Sequence, residues 1–267
     1  MTAHGNAPQT CFPARIERPD AAGRIVLVCE HASNAFPAPW GDLGLTAAQQ
    51  RAHIAWDPGA LAVAQGLAQR LQSCLVHAPV SRLIYDCNRA PDQPGAMAAR
   101  SEVYDIPGNI ALDPAARAVR AATVYLPFHE ALRGVLARRI ALGLAPVMVT
   151  IHSFTPVYLG QSRTVEFGVI HDADPTLARA VLAAALAQTR LRAELNAPYS
   201  AADDVTHTLR LQATPYGLAN VMLEIRNDLI ATPTAQEAMA ERLAPVLLQA
   251  LATFDTGADA APTAKAG

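Results

Sequence analysis

The sequence predicts a single α/β domain in which a mixed, mostly parallel β-sheet is flanked by helices. Short runs of β-branched and aliphatic residues recur along the chain. Several of these runs are apolar at consecutive positions, as expected of strands that are covered on both faces. Segments with helical periodicity separate the runs, and this alternation is typical of a layered α/β fold.

Six segments have the composition of strands, because they are short, rich in β-branched residues and bounded by turn-forming residues. They are residues 25–29, 75–76, 83–85, 147–151, 165–170 and 221–225. The helical segments between them provide the long connections that parallel strands require.

Helical periodicity is clearest where Leu61, Ala64, Ala68 and Leu71 form one apolar stripe. A longer helical stretch is expected over about residues 114–144. Two further helices have a capping residue followed by proline at their start: Asp174-Pro175 ahead of residues 176–190, and Thr232-Pro233 ahead of residues 234–254. Pro245 is expected to kink or split the last helix.

The two ends of the chain differ from the rest in composition. Residues 1–20 are polar and interrupted by proline, so we expect an N-terminal arm. Residues 255–267 are small and polar, which predicts a disordered tail. No repeat or linker-like break divides residues 21–254, and we therefore expect them to form one domain.

Composition excludes several classes of function. The formal net charge is −2, which does not favour nucleic acid as a partner. The N-terminus lacks the features of a signal peptide, and no run approaches the roughly 18 apolar residues of a membrane span. None of the four cysteines lies in a CxxC pair. We therefore expect a cytoplasmic protein with reduced thiols.

Reactive groups cluster where strands are predicted to end, and open sheets bind ligands beyond the carboxyl ends of their strands. Glu30 and His31 follow the first strand, His152 follows the fourth, and Glu224 lies within the last. Two imidazoles and one carboxylate are the protein ligands of a catalytic zinc site that leaves its fourth position open for water. A further carboxylate can accept a proton from that water.

Simpler interpretations remain open for each residue taken alone. A histidine at the end of a strand is more often a hydrogen-bonded structural residue, and Glu224 could pair with Arg226. Ser33 and Ser153 adjoin the two histidines and raise the possibility of a serine hydrolase. Neither serine lies in a GxSxG motif, however, which makes that interpretation weak.

Several blocks in order along the chain carry a family resemblance: CEHASNAFP, HIAWDPGA, SRLIYDCNRAP, IHSFTPV, NAPYS and EIRNDLI. Together they resemble the N-formylglutamate amidohydrolase family over about residues 26–248. The resemblance implies a fold similar to that of zinc carboxypeptidases and aspartoacylases (phosphorylase/hydrolase-like), in which metal ligands lie at strand ends.

The resemblance also implies a ligand set for one Zn²⁺ ion per chain. His31 and His152 match the two metal histidines, and Asp57 is the preferred carboxylate ligand. Glu30 and Asn34 remain alternatives for the third position, although the side chain of Glu30 should point to the opposite face of its strand from that of His31.

The remaining roles follow from the same blocks. Glu224 matches a general base and Arg82 an arginine that polarises the scissile carbonyl. Asn88 and Arg89 resemble a pair that holds a substrate carboxylate, since the guanidinium fork matches its two oxygens. Residues expected to line the substrate pocket are Asn196, Tyr199 and Arg226.

These roles predict hydrolysis, by metal-activated water, of the N-formyl or another N-acyl amide of an acidic amino acid such as N-formylglutamate. The family name suggests a place in histidine catabolism. The alternatives are an amidase for a different N-acyl amino acid and a relative that binds amino acids without catalysis. The sequence does not set the oligomeric state.

Overall fold

Eleven strands and seven α-helices occur in residues 10–258, the part of the chain that the structure, a computed structural model, describes. The strands are β1 (Arg15–Glu17), β2 (Ile25–Cys29), β3 (Cys74–His77), β4 (Arg100–Ser101), β5 (Tyr104–Asp105), β6 (Val147–Phe154), β7 (Val157–Tyr158), β8 (Gln161–Ser162), β9 (Phe167–Ile170), β10 (Ala193–Leu195) and β11 (Asn220–Arg226). The helices are α1 (Ala47–Arg51), α2 (Ala60–Arg70), α3 (Pro114–Arg120), α4 (Leu126–Ala141), α5 (Thr176–Gln188), α6 (His207–Gln212) and α7 (Pro233–Ala258).

Seven strands form the central sheet in the order β1-β3-β2-β6-β11-β9-β10. Strands β3, β2, β6 and β11 are mutually parallel, whereas β1 pairs antiparallel with β3 and β9 pairs antiparallel with β11. The predicted mixed, mostly parallel sheet with flanking helices in one α/β domain is therefore confirmed. The parallel strands bring the carboxyl ends of β2, β6 and β11 to one edge.

The sheet is buried on both faces by two apolar clusters. Leu27 of β2 packs with helices α2, α5 and α7 through residues such as Leu67 and Leu243. The next residue, Val28, points to the opposite face and packs in the cluster that contains Phe128 of α4 and residues of α6. Alternation of side chains along a strand thus explains why β2 is apolar at every position.

One predicted strand is wrong. Residues 83–85 form a buried turn in which the backbone N–H of Ile84 donates to Ser81 O (3.0 Å) and that of Leu83 to Ser81 Oγ (3.1 Å). Their side chains are buried in the cluster around Phe128. A short apolar run gives the same pattern in a buried turn as in a buried strand, so periodicity does not separate the two.

The other predicted elements differ from the structure mainly in their ends. Strand β6 runs to Phe154 and includes His152, while β9 begins at Phe167. The predicted stretch over 114–144 contains α3, a π-helical turn and α4. Helix α5 begins at Thr176, whose N–H donates to Asp174 Oδ1 (2.9 Å). Helix α7 is not split at Pro245.

The described parts of both chain ends contain regular secondary structure. Strand β1 lies within the proposed N-terminal arm and pairs with the edge of the sheet. Helix α7 continues through residues 255–258, and Arg24 Nη1 contacts Asp255 Oδ2 at 2.6 Å. Residues 1–9 of the arm and 259–267 of the tail lie outside the described part. None of the helices in residues 10–258 has the length and apolarity needed to cross a bilayer.

Close packing at Gly168 of β9 yields a test of the fold. A Cβ there would lie 2.0 Å from Ala197 O and 3.1 Å from Glu224 Cβ. We expect Gly168→Ala to lower the free energy of unfolding by about 1–3 kcal/mol in chemical denaturation, since overpacking forces the backbone to move. Gly134→Ala is the matched control: it lies in α4 with open space around it and should stabilise by about 0.5–1 kcal/mol. Equal stability of Gly168→Ala and wild type would contradict this packing.

Candidate active site

A cleft of about 440 Å³ opens at the edge of the sheet where β2, β6 and β11 end. Of the ten residues that the sequence proposed for the site, eight line this cleft: His31, Asp57, Arg82, Asn88, Arg89, His152, Tyr199 and Glu224. Asn196 and Arg226 do not.

His31, Asp57 and His152 converge on one point, and the three ligand atoms they offer all lie within 4.8 Å of one another. His31 Nδ1 is 3.1 Å from His152 Nδ1 and 3.2 Å from Asp57 Oδ2. His152 Nδ1 is 2.9 Å from the same Asp57 oxygen. Three buried groups from distant parts of the chain therefore form a cluster that could hold a metal ion.

Backbone hydrogen bonds fix Asp57 in this cluster. Its N–H donates to His31 O (2.9 Å), and its Oδ2 accepts from the N–H of Ser153 (3.2 Å). The carboxylate is thus tied to the ends of both β2 and β6 just before α2 begins.

Each imidazole has a buried carboxylate on its other side. His31 Nε2 is 2.7 Å from Asp86 Oδ1, and His152 Nε2 is 3.1 Å from Glu30 Oε2. This arrangement, with one ring nitrogen facing a shared point and the other facing a carboxylate, is typical of metal-binding histidines. Glu30 therefore lies behind His152, away from the shared point.

Asn34, the other alternative ligand, also lies outside the cluster. Its amide Nδ2 donates to Gln50 O (3.1 Å) and so holds the loop after β2. Of the three residues considered for the third position, the geometry brings only Asp57 to the two histidines.

The imidazoles and carboxylates stabilise each other's charge. Burial alone would raise the pKa of Asp57, but His31 and His152 reverse the effect and the pKa lies below its usual value. Burial would likewise raise the pKa of Glu30, and His152 lowers it. Both carboxylates are thus held in the ionised form, which favours a cation nearby.

Glu224 occupies the position on β11 directly beside His152 on β6. Burial raises the pKa of this carboxyl to about 7, and the nearby charge of Asp57 raises it while His152 lowers it. Within residues 10–258, its buried Oε2 has no hydrogen-bond partner. A carboxyl group with this pKa can accept and release a proton near neutral pH.

Arg82 lies beside the cluster and is held by two carboxylates. Its Nη2 donates to Asp86 Oδ2 (2.7 Å) and its Nη1 to Asp57 Oδ1 (3.4 Å). A guanidinium has five N–H donors, so Arg82 retains donors for a ligand in the cleft.

Arg89 and Asn88 both form hydrogen bonds with residues 203–208. Arg89 Nη1 donates to Asp203 O (2.8 Å), and among the described residues no carboxylate forms an ion pair with it. The Asn88 amide donates to Val205 O and accepts from the N–H of Thr208 (2.9 Å). Among the described residues, one N–H of that amide therefore remains for a ligand, and Arg89 can still bind an anion.

Asn196 and Arg226 form contacts away from the cleft. Asn196 Nδ2 lies 3.0 Å from His171 Nε2. Arg226 Nε donates to Asp228 Oδ1 (2.8 Å), and its Nη2 is 3.4 Å from Glu166 Oε1. Both residues thus hold loops of the structure.

The serines next to the histidines have structural contacts. Ser153 Oγ donates to Pro58 O (2.9 Å), and Ser33 Oγ accepts from the N–H of Ala35 (3.1 Å). Neither hydroxyl is hydrogen-bonded to an imidazole in the described part of the chain, which leaves the serine-hydrolase interpretation without support.

Asp86 is a site residue that the sequence analysis did not assign. It contacts both His31 and Arg82, as described above. Its position directly after an apolar run was a usable signal, because a buried carboxylate without a partner is costly.

Comparison with known proteins identifies the family. The family model described as N-formylglutamate amidohydrolase matches residues 23–231. The chain belongs to this family. The resemblance inferred from the sequence blocks is thereby confirmed.

Solved structures of other proteins share the fold of this N-formylglutamate amidohydrolase family member. A gene product from Agrobacterium tumefaciens has 50% sequence identity and a TM-score of 0.89, with 91% of this chain and 96% of that chain covered. An N-formylglutamate amidohydrolase from Ralstonia eutropha has 17% identity and a TM-score of 0.67, with 92% and 99% covered. Among curated proteins, none matches the chain.

The carboxylate behind His152 gives a test of the cluster as a metal site. Glu30→Gln keeps the shape of the side chain but removes its charge, so we expect Zn²⁺ affinity to fall by about 10–100-fold in competition with a chelator. Glu17→Gln is the matched control, because Glu17 forms a similar pair with His77 (3.0 Å) outside the cleft. Unchanged affinity in Glu30→Gln would contradict the role of this carboxylate.

Proposed function

We propose that this protein is a metal-dependent amidohydrolase that cleaves the N-formyl, or another N-acyl, amide of an acidic amino acid such as N-formylglutamate. The observation that carries the proposal is the convergence of His31, Asp57 and His152 beside Glu224. Membership of the family supports the same chemistry.

The donor set suits a single Zn²⁺ ion. Two imidazole nitrogens 3.1 Å apart and one carboxylate oxygen face a common point, and both imidazoles are backed by carboxylates. Two nitrogen ligands and one oxygen ligand are typical of catalytic zinc. When bound, such an ion lowers the pKa of a coordinated water to about 7 and polarises a carbonyl.

Glu224 serves as the general base. It accepts a proton from the water whose oxygen adds to the acyl carbon, and it passes that proton to the amine nitrogen as the C–N bond breaks. A pKa of about 7 suits both steps, and direct contact with water is supported by Oε2, which has no hydrogen-bond partner among residues 10–258.

Two arginines complete the site. Arg82 donates a spare N–H to the carbonyl oxygen, where negative charge develops. Arg89 binds a carboxylate of the substrate, a role supported by its lack of an ion-pair partner among the described residues. Asn88 adds its remaining amide N–H to the same carboxylate. Asn196 and Arg226, which do not line the cleft, act indirectly by holding the surrounding loops.

The finer parts of the sequence prediction belong to this proposal as well. Metal ligands at the ends of parallel strands support a relationship to zinc carboxypeptidases and aspartoacylases. The buried free thiols of Cys29, Cys74 and Cys87 support a cytoplasmic location. The name of the family supports a role in histidine catabolism. The alternative is a relative that binds amino acids without turnover.

Glu224→Gln separates catalysis from metal binding. We expect kcat for N-formylglutamate to fall by about 10²–10⁴-fold, because the amide cannot accept the proton, while metal content stays at the wild-type level. Glu130→Gln, at an exposed position of α4, is the control. His152→Ala should instead lose the metal itself, as measured by elemental analysis. Near-normal kcat in Glu224→Gln would remove this residue from the role of base.

Arg89→Gln tests the anchoring of the substrate carboxylate. We expect the KM for N-formylglutamate to rise by about 10–100-fold, since a charged hydrogen bond contributes about 1.5–3 kcal/mol. Arg100→Gln is the matched control, because Arg100 also lines the cleft but already pairs with Asp105 (2.9 Å). Binding without turnover in zinc-loaded wild type would favour the non-catalytic alternative.

A further inference from the structure

Arg163, in the loop between β8 and β9, has its guanidinium surrounded by three aromatic rings. Its Cζ lies 4.6 Å from the ring centroid of Tyr158, 4.8 Å from that of Tyr199 and 5.6 Å from that of Phe154. All three rings line the cleft, whereas Arg163 does not. The three rings form an aromatic wall of the cleft. The Arg163 guanidinium therefore lies behind this wall and contacts all three of its rings.

The guanidinium also forms a hydrogen bond whose direction is fixed. Arg163 Nη1 donates to the hydroxyl oxygen of Tyr199 at 2.9 Å. Arginine has no acceptor, so the phenol oxygen must accept and its own proton remains free to be donated elsewhere. Within residues 10–258 no group accepts that proton.

The backbone around Arg163 is fixed as well. Arg226 Nη1 donates to Arg163 O (3.3 Å), and Arg226 is itself held by Asp228 and Glu166. Arg163 forms no ion pair with any described carboxylate, so its charge is balanced only by the ring faces and the phenol. The donor is therefore preorganised before a ligand enters.

Tyr199 lines the same cleft as Glu224 and Arg82. Burial raises the pKa of Tyr199, the negative charge of Glu224 raises it further, and Arg163 and Arg82 lower it. The hydroxyl is therefore protonated at neutral pH and lies within electrostatic reach of both the proposed base and the proposed carbonyl-binding arginine.

We propose that Arg163 is a positioning residue that makes Tyr199 an obligatory hydrogen-bond donor to the acyl oxygen of the substrate. This assignment rests on the proposed function, since it takes amide hydrolysis beside Glu224 and Arg82 as the reaction. A donor fixed in advance stabilises the negative charge that develops on that oxygen more than it stabilises the neutral carbonyl.

A double-mutant cycle separates this role from one in which Arg163 only fastens the aromatic wall. With N-formylglutamate as substrate, we expect Tyr199→Phe to lower kcat by about 10²–10³-fold with little change in KM. Arg163→Met should lower kcat by at least tenfold at wild-type metal content, and the double variant should be no slower than Tyr199→Phe, because the two residues act through one hydrogen bond.

Two further variants serve as a conservative replacement and as a control for the double-mutant cycle. Arg163→Lys keeps a cationic donor and should recover part of the kcat that Arg163→Met loses. Arg138→Met, at an exposed arginine that pairs with Asp20, should match wild type. Wild-type kcat in Arg163→Met would overturn the proposal, and so would additive losses in the double variant. A rise in KM at unchanged kcat would do the same, because it would place the phenol on a substrate carboxylate.

A measurement without substrate tests the contact between Arg163 and Tyr199 independently of turnover. If wild type hydrolyses no N-acyl amino acid, that result refutes the proposed function, and this measurement still tests the proposal. Ionisation of Tyr199 is followed as the difference in phenolate absorbance between wild type and Tyr199→Phe, and between Arg163→Met and the double variant. We expect ionisation at higher pH without Arg163, in protein whose melting temperature shows that it is folded. An unchanged ionisation would overturn the proposal.

Discussion

Parallel pairing of β6 with both β2 and β11 is the constraint on which the rest of the molecule depends. The register places Val28 opposite Thr150 and Glu224 opposite His152. Because these strands run in the same direction, their polar carboxyl-terminal residues meet at one edge while the apolar residues before them fill the two clusters. The site therefore lies at the end of the most buried part of the sheet.

Burial makes the charges in the cleft interdependent. Asp57, Asp86, Glu30 and both imidazoles are nearly excluded from water, and isolated charges there would be very unfavourable. They persist because each carboxylate contacts an imidazole, with Arg82 between two of them. The two Nδ1 atoms and Asp57 Oδ2 face a common point within this network, where a metal ion could be held. Burial likewise raises the pKa of Glu224 to about 7, and in the described part of the chain its Oε2 has no hydrogen-bond partner.

The sequence predicted the layers of the fold and most of the cleft because both depend on local patterns. Apolar runs that end in Glu-His, His-Ser or a buried Glu mark strand ends, and the family blocks added Asp57 and Arg82. The turn at 83–85 was mistaken for a strand because side-chain burial is the same in both. The hydrogen bonds of the Asn88 amide and the contacts of Asn196 and Arg226 depend on partners distant in sequence, as does the environment of Arg163. Such partners have no local signature.

The position of β11 has a consequence for how the chain folds during its synthesis. Within residues 10–258 it is the last strand in sequence, yet it lies between β6 and β9 in the sheet. Residues up to Arg226 must therefore leave the ribosome before the gap closes, and until then the edge of β6 can pair with neighbouring chains. Nascent protein is at its greatest risk of aggregation in that interval.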